Sequence, residues 1–215
     1  MKQSNIIISD ITNMKEKFCV AGWDMHERRM KRLLINGGYW DGSQIPQYSS
    51  IIVNNEPLEE PRDYPHRTED VNIEFDSIKV QEIFKPGKEL ANLLRDNVSK
   101  DILAIFNNKV KENAYVPKKT KSASLGAILI KACDVEFCTE DGKLRAKIVD
   151  YSGREYNLKV SCKYIRDIFE KTKDTEKMNE VITAFQYAHC RIGLARPFMM
   201  QENNCYLMLN GLFLY

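Results

Sequence analysis

The chain's 215 residues, 43% of them hydrophobic, suffice to bury a core as one large domain or two small ones. A net charge of +2 with 29% charged residues describes an ordinary soluble surface and excludes a uniformly basic, histone-like binder. No run approaches the ~18 apolar residues of a transmembrane helix, and the apolar run in MKQSNIIISDI is too short for a signal peptide, so a cytoplasmic protein with no membrane contact is expected.

The chain opens with short strands. NIIISDI (5–11) is β-branched, KFCVAGWD (17–24) and RRMKRLLI (28–35) follow, and GGYWDGSQIP breaks the pattern as a loop. SIIVN (50–54) is strand again, an acidic proline-bearing stretch is a surface loop, and VNIEF (71–75) alternates as a half-buried strand. Five short strands in the first ~76 residues are spaced as small barrels space them. From residue 77 apolar residues fall at helical intervals, with Leu90, Leu93 and Leu94 on one face and Ile102, Ile105 and Phe106 on another, so 77–110 reads as a helical segment. YVPKKTKSAS (115–124) is a basic connector. Strands resume over 125–160, where Asp141-Gly142 marks a hairpin. A helix at 163–171, a charged stretch, a strand over 184–192 and a C-terminal strand complete the chain; that last apolar strand must pair inside a sheet.

The organisation expected is β-rich α+β: a first barrel over 1–76, a helical insert with a basic connector over 77–122, and a second barrel over 123–215. There is no βαβ alternation, glycine-rich phosphate loop, repeat of fixed period or low-complexity tract. Cys19, Cys133, Cys138, Cys162, Cys190 and Cys205 include no CxxC pair and read as reduced thiols. With three histidines and no ligand spacing, neither a metal nor a cofactor is expected.

Cys19-Val20-Ala21-Gly22, the basic strand centred on Arg32, His66–Val71 (HRTEDV), Asp134–Phe137 (DVEF) and Cys190–Phe198 (CRIGLARPF) together resemble the bacterial dual OB-fold-containing domain proteins, in element order over nearly the whole chain. The resemblance implies two OB-like barrels in a nucleic-acid context and no established reaction. Where that family's strand reads tryptophan, isoleucine, arginine, proline, this chain has Met30-Lys31-Arg32-Leu33, with neither the tryptophan nor the proline, so a site built on that tetrad would lack its aromatic member.

Several groups of residues carry chemistry. On a strand Arg28, Met30 and Arg32 share one face, and Arg29, Lys31 and Leu33 the other; neither is cleanly apolar, which places this strand at a rim or edge. There Arg28, Lys31 and Arg32 beside Tyr39 and Trp40 suit a groove that tracks a phosphate backbone and stacks bases. The plainer alternative is a solvated edge blunted by cations, with the two aromatics plugging a barrel end. Lys118, Lys119 and Lys121 either touch phosphates or solvate the connector. Tyr187, His189 and Arg191, in line with Phe185, suit nucleotide recognition or a covered face with hydrogen-bonded tips. Arg196-Pro197 reads as a turn with its arginine paired to an acid. His66 with Glu69 and Asp70 is the enzymatic candidate, since one histidine and carboxylates can serve as general acid and base. Cys19, between Phe18 and Val20, reads as buried rather than nucleophilic.

These residues lead to a non-catalytic binding module for nucleic acid, single-stranded DNA or RNA, or for a nucleotide. Two alternatives stand beside it: a protein-interaction module in a bacterial or phage defence system, with the acidic loop 54–76 as its contact, and a nucleotide- or nucleic-acid-processing enzyme centred on His66 and Asp70.

Overall fold

The computed structural model describes residues 1–14, 16–42, 45–58, 65, 69–197 and 204–215. The first circuit comprises β1 (Lys2–Met14), β2 (Lys17–Asp24), β3 (Arg29–Leu34), β4 (Ser49–Pro57) and β5 (Asp70–Ile73), followed by β6 (Lys79–Ile83). Pairing runs β1-β2-β3-β5-β4 and returns from β4 to β1, so the ring closes. Only the β3–β5 pair is parallel within it. β6 lies against β4 and has no second strand partner among the described residues.

The expected helical segment 77–110 is only partly helical. Residues 79–83 form β6, because the edge of β4 past the end of β5 offers backbone partners. Beyond it come α1 (Lys88–Leu93), β7 (Val98–Ser99), α2 (Ile102–Ile105) and β8 (Tyr115–Pro117). Asp101 caps α2, accepting the Ala104 amide at 2.7 Å.

β9 (Leu125–Lys131) and β10 (Val135–Glu140) are separated by a single 3-10 turn at Ala132–Asp134. β11 (Lys143–Val149) and β12 (Glu155–Val160) follow, then α3 (Lys163–Thr172), α4 (Thr175–Thr183), β13 (Tyr187–Leu194) and β14 (Asn204–Leu214). β10 pairs with β11, β11 with β12, β12 in parallel with β14, β14 with β13, and β13 with β9. With β9 and β10 taken as one bent strand, this is the circuit of the first half again: first, second, third, fifth, fourth. The fold is β-rich with two OB-like sheets, as the sequence pattern indicates. Asp141 and Gly142 both adopt positive φ, 50° and 70°, as the tight hairpin requires. The C-terminal strand lies inside its sheet, between β13 and β12. The charged stretch after α3 is helical, because Asp174 caps it and Ile182 buries one face; β13 therefore starts at 187 rather than 184.

One apolar cluster, including Ile6, Ile8, Val20, Leu33 and Val53, fills the first ring; another, including Ile128, Ala146, Leu158 and Cys190, fills the second. A third lies between them: Ile7, Ala21, Trp23 and Met30 from β1–β3 meet Leu90, Ala91 and Leu94 of the α1 region, Leu125 and Phe213. Hence β1 carries an unbroken isoleucine run, with alternate residues buried on opposite faces. Gly22 is crowded here: a Cβ would lie 2.4 Å from the Ile7 carbonyl oxygen and 2.6 Å from Ile6 Cγ2. Gly22→Ala is expected to cost about 1–3 kcal/mol in urea denaturation, because a backbone oxygen cannot yield as a side chain does. No helix among the described residues is long and apolar enough to cross a membrane.

Candidate nucleic-acid interface

The basic strand β3 does not lie at a rim. It runs between β2 and β5, and Met30–Leu34 are all buried. Lys31 is 1% exposed; its Nζ lies 2.8 Å from Asp24 Oδ2 and 2.8 Å from Glu27 Oε1, and donates to Ser4 Oγ and Asn55 Oδ1 at 3.0 Å each. Burial pushes the Asp24 and Glu27 carboxyls up, but hydrogen bonds, from Lys31 above all, outweigh it and hold both at about 2. Arg32 Nη1 meets Asp70 Oδ1 at 2.5 Å, and its Nη2 donates to Ser124 Oγ at 3.0 Å. Ser124 in turn donates its amide and its hydroxyl to Glu69, at 2.7 and 2.8 Å. Trp40 is 1% exposed, packs on Phe75 and donates its indole N–H to the Leu33 carbonyl at 2.7 Å.

The expectation that Lys31, Arg32 and Trp40 form a binding surface is therefore corrected: a central strand buries both its faces, so each charge on it needs a counterion. Arg28 is exposed and paired with Asp96 at 2.5 Å. Tyr39 lies beneath the Arg196 guanidinium, 4.7 Å from ring centroid, and Arg196 faces Asp70 Oδ2 at 3.8 Å. Residues from HRTEDV, the Arg32 strand and CRIGLARPF thus meet at one point, holding the halves together. Asp70 is committed to Arg32 there. His66 lies outside the described residues. Desolvation pushes the half-buried Cys19 thiol above its ordinary value, away from nucleophilic use.

The second aromatic–basic set is also internal. Arg191 is fully buried on the outside of the second ring, facing the first. Its Nη2 lies 3.1 Å from Asp10 Oδ2 and 2.9 Å from Met30 Sδ, and its Nη1 donates to Asn97 Oδ1. His189, 1% exposed, stacks on Phe213 with centroids 4.5 Å apart. Tyr187, half-buried, packs on Tyr215 at 5.6 Å. The nucleotide face expected on β13 is corrected accordingly: Asp10 of β1 packs over it and Phe213 of the adjacent strand β14 stacks on His189, rather than the helix expected at 163–171.

Burial, and then the Arg191 charge, pull the His189 pKa down to about 3. The unfolded chain binds this proton below about pH 6.5 and the folded chain does not. Stability therefore falls as pH drops from about 6.5 towards 3, by up to about 1.4 kcal/mol per pH unit. In urea titrations between pH 6.5 and 5, where most carboxylates stay ionised, His189→Phe is expected to flatten this decline and keep the stack.

Among the described residues, no element covers the outer face of β11 and β12. The outer surface of β2 and β3 in the first ring is closed by α1, Leu125 and Phe213. The equivalent second and third strands of the other ring, β11 and β12, alternate buried and exposed residues, with Lys143, Lys147, Asn157 and Lys159 in solvent. Arg145 stands directly across from Lys159, and Lys147 from Asn157. Partial burial, then Arg166 of α3, Lys143 and Arg145, hold the Lys159 ammonium below its ordinary pKa. Arg145 has a carboxylate, Glu140, at 3.3 Å. Lys143, Lys147, Lys159 and Arg166 have no ion pair among the described residues. Glu136 and Glu140 on β10 flank them, opposite Lys147 and Lys143. A groove of about 690 Å³ beside these strands takes in Arg145 and Lys147 together with the carboxylates Glu112, Asp134, Glu136 and Glu155, so it is not itself basic, and Lys143, Lys159 and Arg166 lie outside it. Past β8 comes the connector, where Lys119 and Lys121 are exposed and Lys118 is half-buried. Sequence periodicity around Lys143, Arg145, Lys147 and Lys159 carried the signal; with both barrels read as equal, nothing marked this face as the open one.

Residues 4–212 match the family described as dual OB-containing domain. The chain belongs to that family. Among solved structures, a murine DNA binding protein bound with double-stranded DNA aligns with this dual OB chain at a TM-score of 0.38 and 11% identity, over 100% of this chain and 97% of that one. No curated protein matches the dual OB chain.

Proposed function

We propose that this dual OB protein binds nucleic acid through the open β11–β12 face of its second barrel, without catalysis. The observation that carries this reading is Lys159 crowded by Arg166, Lys143 and Arg145, with Lys147 exposed on the same face, cations that a phosphate chain would neutralise. The second and third strands of an OB barrel are a common oligonucleotide-contacting surface, which supports the choice of face. No aromatic stands among the outward residues of β10–β12, so contacts are to the backbone and base preference is weak. Lys119 and Lys121 extend the positive surface along the connector, with Lys118 beside them. Fluorescence anisotropy with single-stranded DNA, duplex DNA and RNA across a salt series tests this. Binding should weaken with salt at a log–log slope of about −2 to −4 and depend little on sequence. No binding at low salt would reject the reading.

A second reading rests on β6. All five of its residues are exposed, with Val80 and Ile83 at 47% and 60%, and β4 is its sole strand partner among the described residues. An edge of this kind suits strand addition by a protein partner.

A further inference from the structure

Where the first ring, the insert and the second ring meet, a pocket of about 370 Å³ opens at the surface. Trp23 and Arg29 line it from β2 and β3, Asn97 and Ser99 from the insert, and Leu125 from β9. Trp23 and Asn97 are only 6% and 9% exposed. The Trp23 indole Nε1 makes no hydrogen bond among the described residues and is not sealed from solvent. Asn97 Oδ1 accepts from Arg191 Nη1, a group that can only donate, so Nδ2 is the free end of the amide. It too is unpartnered among the described residues and not sealed. Trp23 stands across from Met30, and Arg191 joins Met30 Sδ, at 2.9 Å, to Asn97, so the two donors lie close together. Both residues reach solvent where they line this pocket, and a fixed acceptor there would satisfy both N–H groups.

Charge adds a sign. Arg29 gives its Nε to Glu27 at 2.5 Å, but Glu27 also accepts from Lys2 and Lys31, and Lys31 pairs with Asp24. Three cations therefore share two carboxylates, and the terminal nitrogens of Arg29 have no acceptor among the described residues. Glu69, a carboxylate in the lining, accepts the Ser124 amide and hydroxyl, and Arg32 donates to that hydroxyl, so its charge is answered through Ser124 by Arg32.

We infer that this pocket binds a small monocarboxylic acid with an apolar body. The carboxylate sits on the Arg29 guanidinium and accepts from Trp23 Nε1 and Asn97 Nδ2, and the body packs on Met30, Ile105 and Leu125. A guanidinium fork beside neutral N–H donors matches the planar pair of carboxylate oxygens. A phosphate monoester carries about 1.5–2 negative charges, which one surplus cation does not balance with Glu69 in the same wall. The volume is at the lower end of small-molecule sites and excludes a nucleic-acid strand. The inference does not depend on the nucleic-acid reading, since Lys143, Lys147 and Lys159 line no part of this pocket.

The two tryptophans make the test direct. The Trp40 indole N–H already donates to the Leu33 carbonyl, whereas that of Trp23 is free to report a new acceptor. In proton–nitrogen correlation spectra of the full chain, phenylacetate should move the Trp23 indole peak saturably at roughly millimolar affinity and leave the Trp40 peak in place. Loss of one peak in Trp23→Phe assigns the pair. Phenylacetamide, the neutral isostere, should bind at least about tenfold more weakly. Arg29→Gln, at a half-exposed side chain, should weaken phenylacetate by at least about tenfold and bring the two probes together. The proposal is overturned if the Trp23 peak does not move saturably, if phenylacetamide binds as well as phenylacetate, or if the preference survives in Arg29→Gln. Tighter binding of phenyl phosphate than of phenylacetate would overturn the assignment to a carboxylate.

Discussion

Replacing Asp10 with Asn is expected to destabilise the protein by about 3–5 kcal/mol, and to lower Tm by roughly 10 °C for a chain of this length. Asp10 lies on β1 and Arg191 on β13, both sealed from water where the two rings face each other. Removing the carboxylate leaves a guanidinium buried with Asn97 and Met30 Sδ as its remaining neighbours. A neutral amide cannot repay the desolvation of a full charge. The double variant Asp10→Leu, Arg191→Met removes both charges and should recover more than half of the loss, since a buried ion pair is often no better than apolar side chains of similar volume. Equilibrium urea denaturation of the three variants measures this. A cost below about 1 kcal/mol for Asp10→Asn would mean that water reaches the pair and that the halves are joined by the apolar cluster around Trp23, Met30 and Phe213 and by the Arg32–Asp70 junction.

Charge reversal on the open face should do the opposite, sparing stability and abolishing binding. Lys143, Lys147 and Lys159 are exposed, and no described carboxylate is paired with them, so Lys→Glu at all three should shift Tm by no more than a few degrees. Each cation that displaces a counterion from the nucleic acid contributes about 0.7–0.9 to the salt slope. The triple variant should therefore lose a slope of about 2–3 and bind at least about 100-fold more weakly at 50 mM salt. Reversing Lys119 and Lys121 on the connector should have a smaller effect. Equal affinity of the triple variant and the parent would remove β11–β12 as the interface. Changing Arg32 and Trp40 would not test contact at all, because both are structural: one holds Asp70, the other plugs the first ring against Leu33 and Phe75.

The sequence by itself determined most of the long strands, the β-rich class and the family, but not β6 to β8, which lie in stretches read as helix and connector. β-branched runs such as Ile6–Ile8, the Asp141-Gly142 turn and the apolar C-terminal strand are local signals, and local backbone chemistry decides them. The matching circuits of the two halves left no repeat in the sequence, because strand order is set by pairing between distant residues and many side chains satisfy the same pairings. What only tertiary structure decided was which cations face water. Arg28-Arg29-Met30-Lys31-Arg32 and Lys143-Leu144-Arg145-Ala146-Lys147 both alternate charge with apolar residues over part of their length. The first lies in a ring whose outer face is covered by α1, β9 and β14, so Arg32, on that face with Met30, became a buried ion pair with Asp70, while Lys31, turned to the ring's interior with Leu33, is buried against Asp24 and Glu27. The second lies in a ring whose outer face no described element covers, so its charges stay in solvent. The difference is made by docking of one barrel on the other, an event that joins residues as far apart as Asp10 and Arg191 and is invisible in either segment alone.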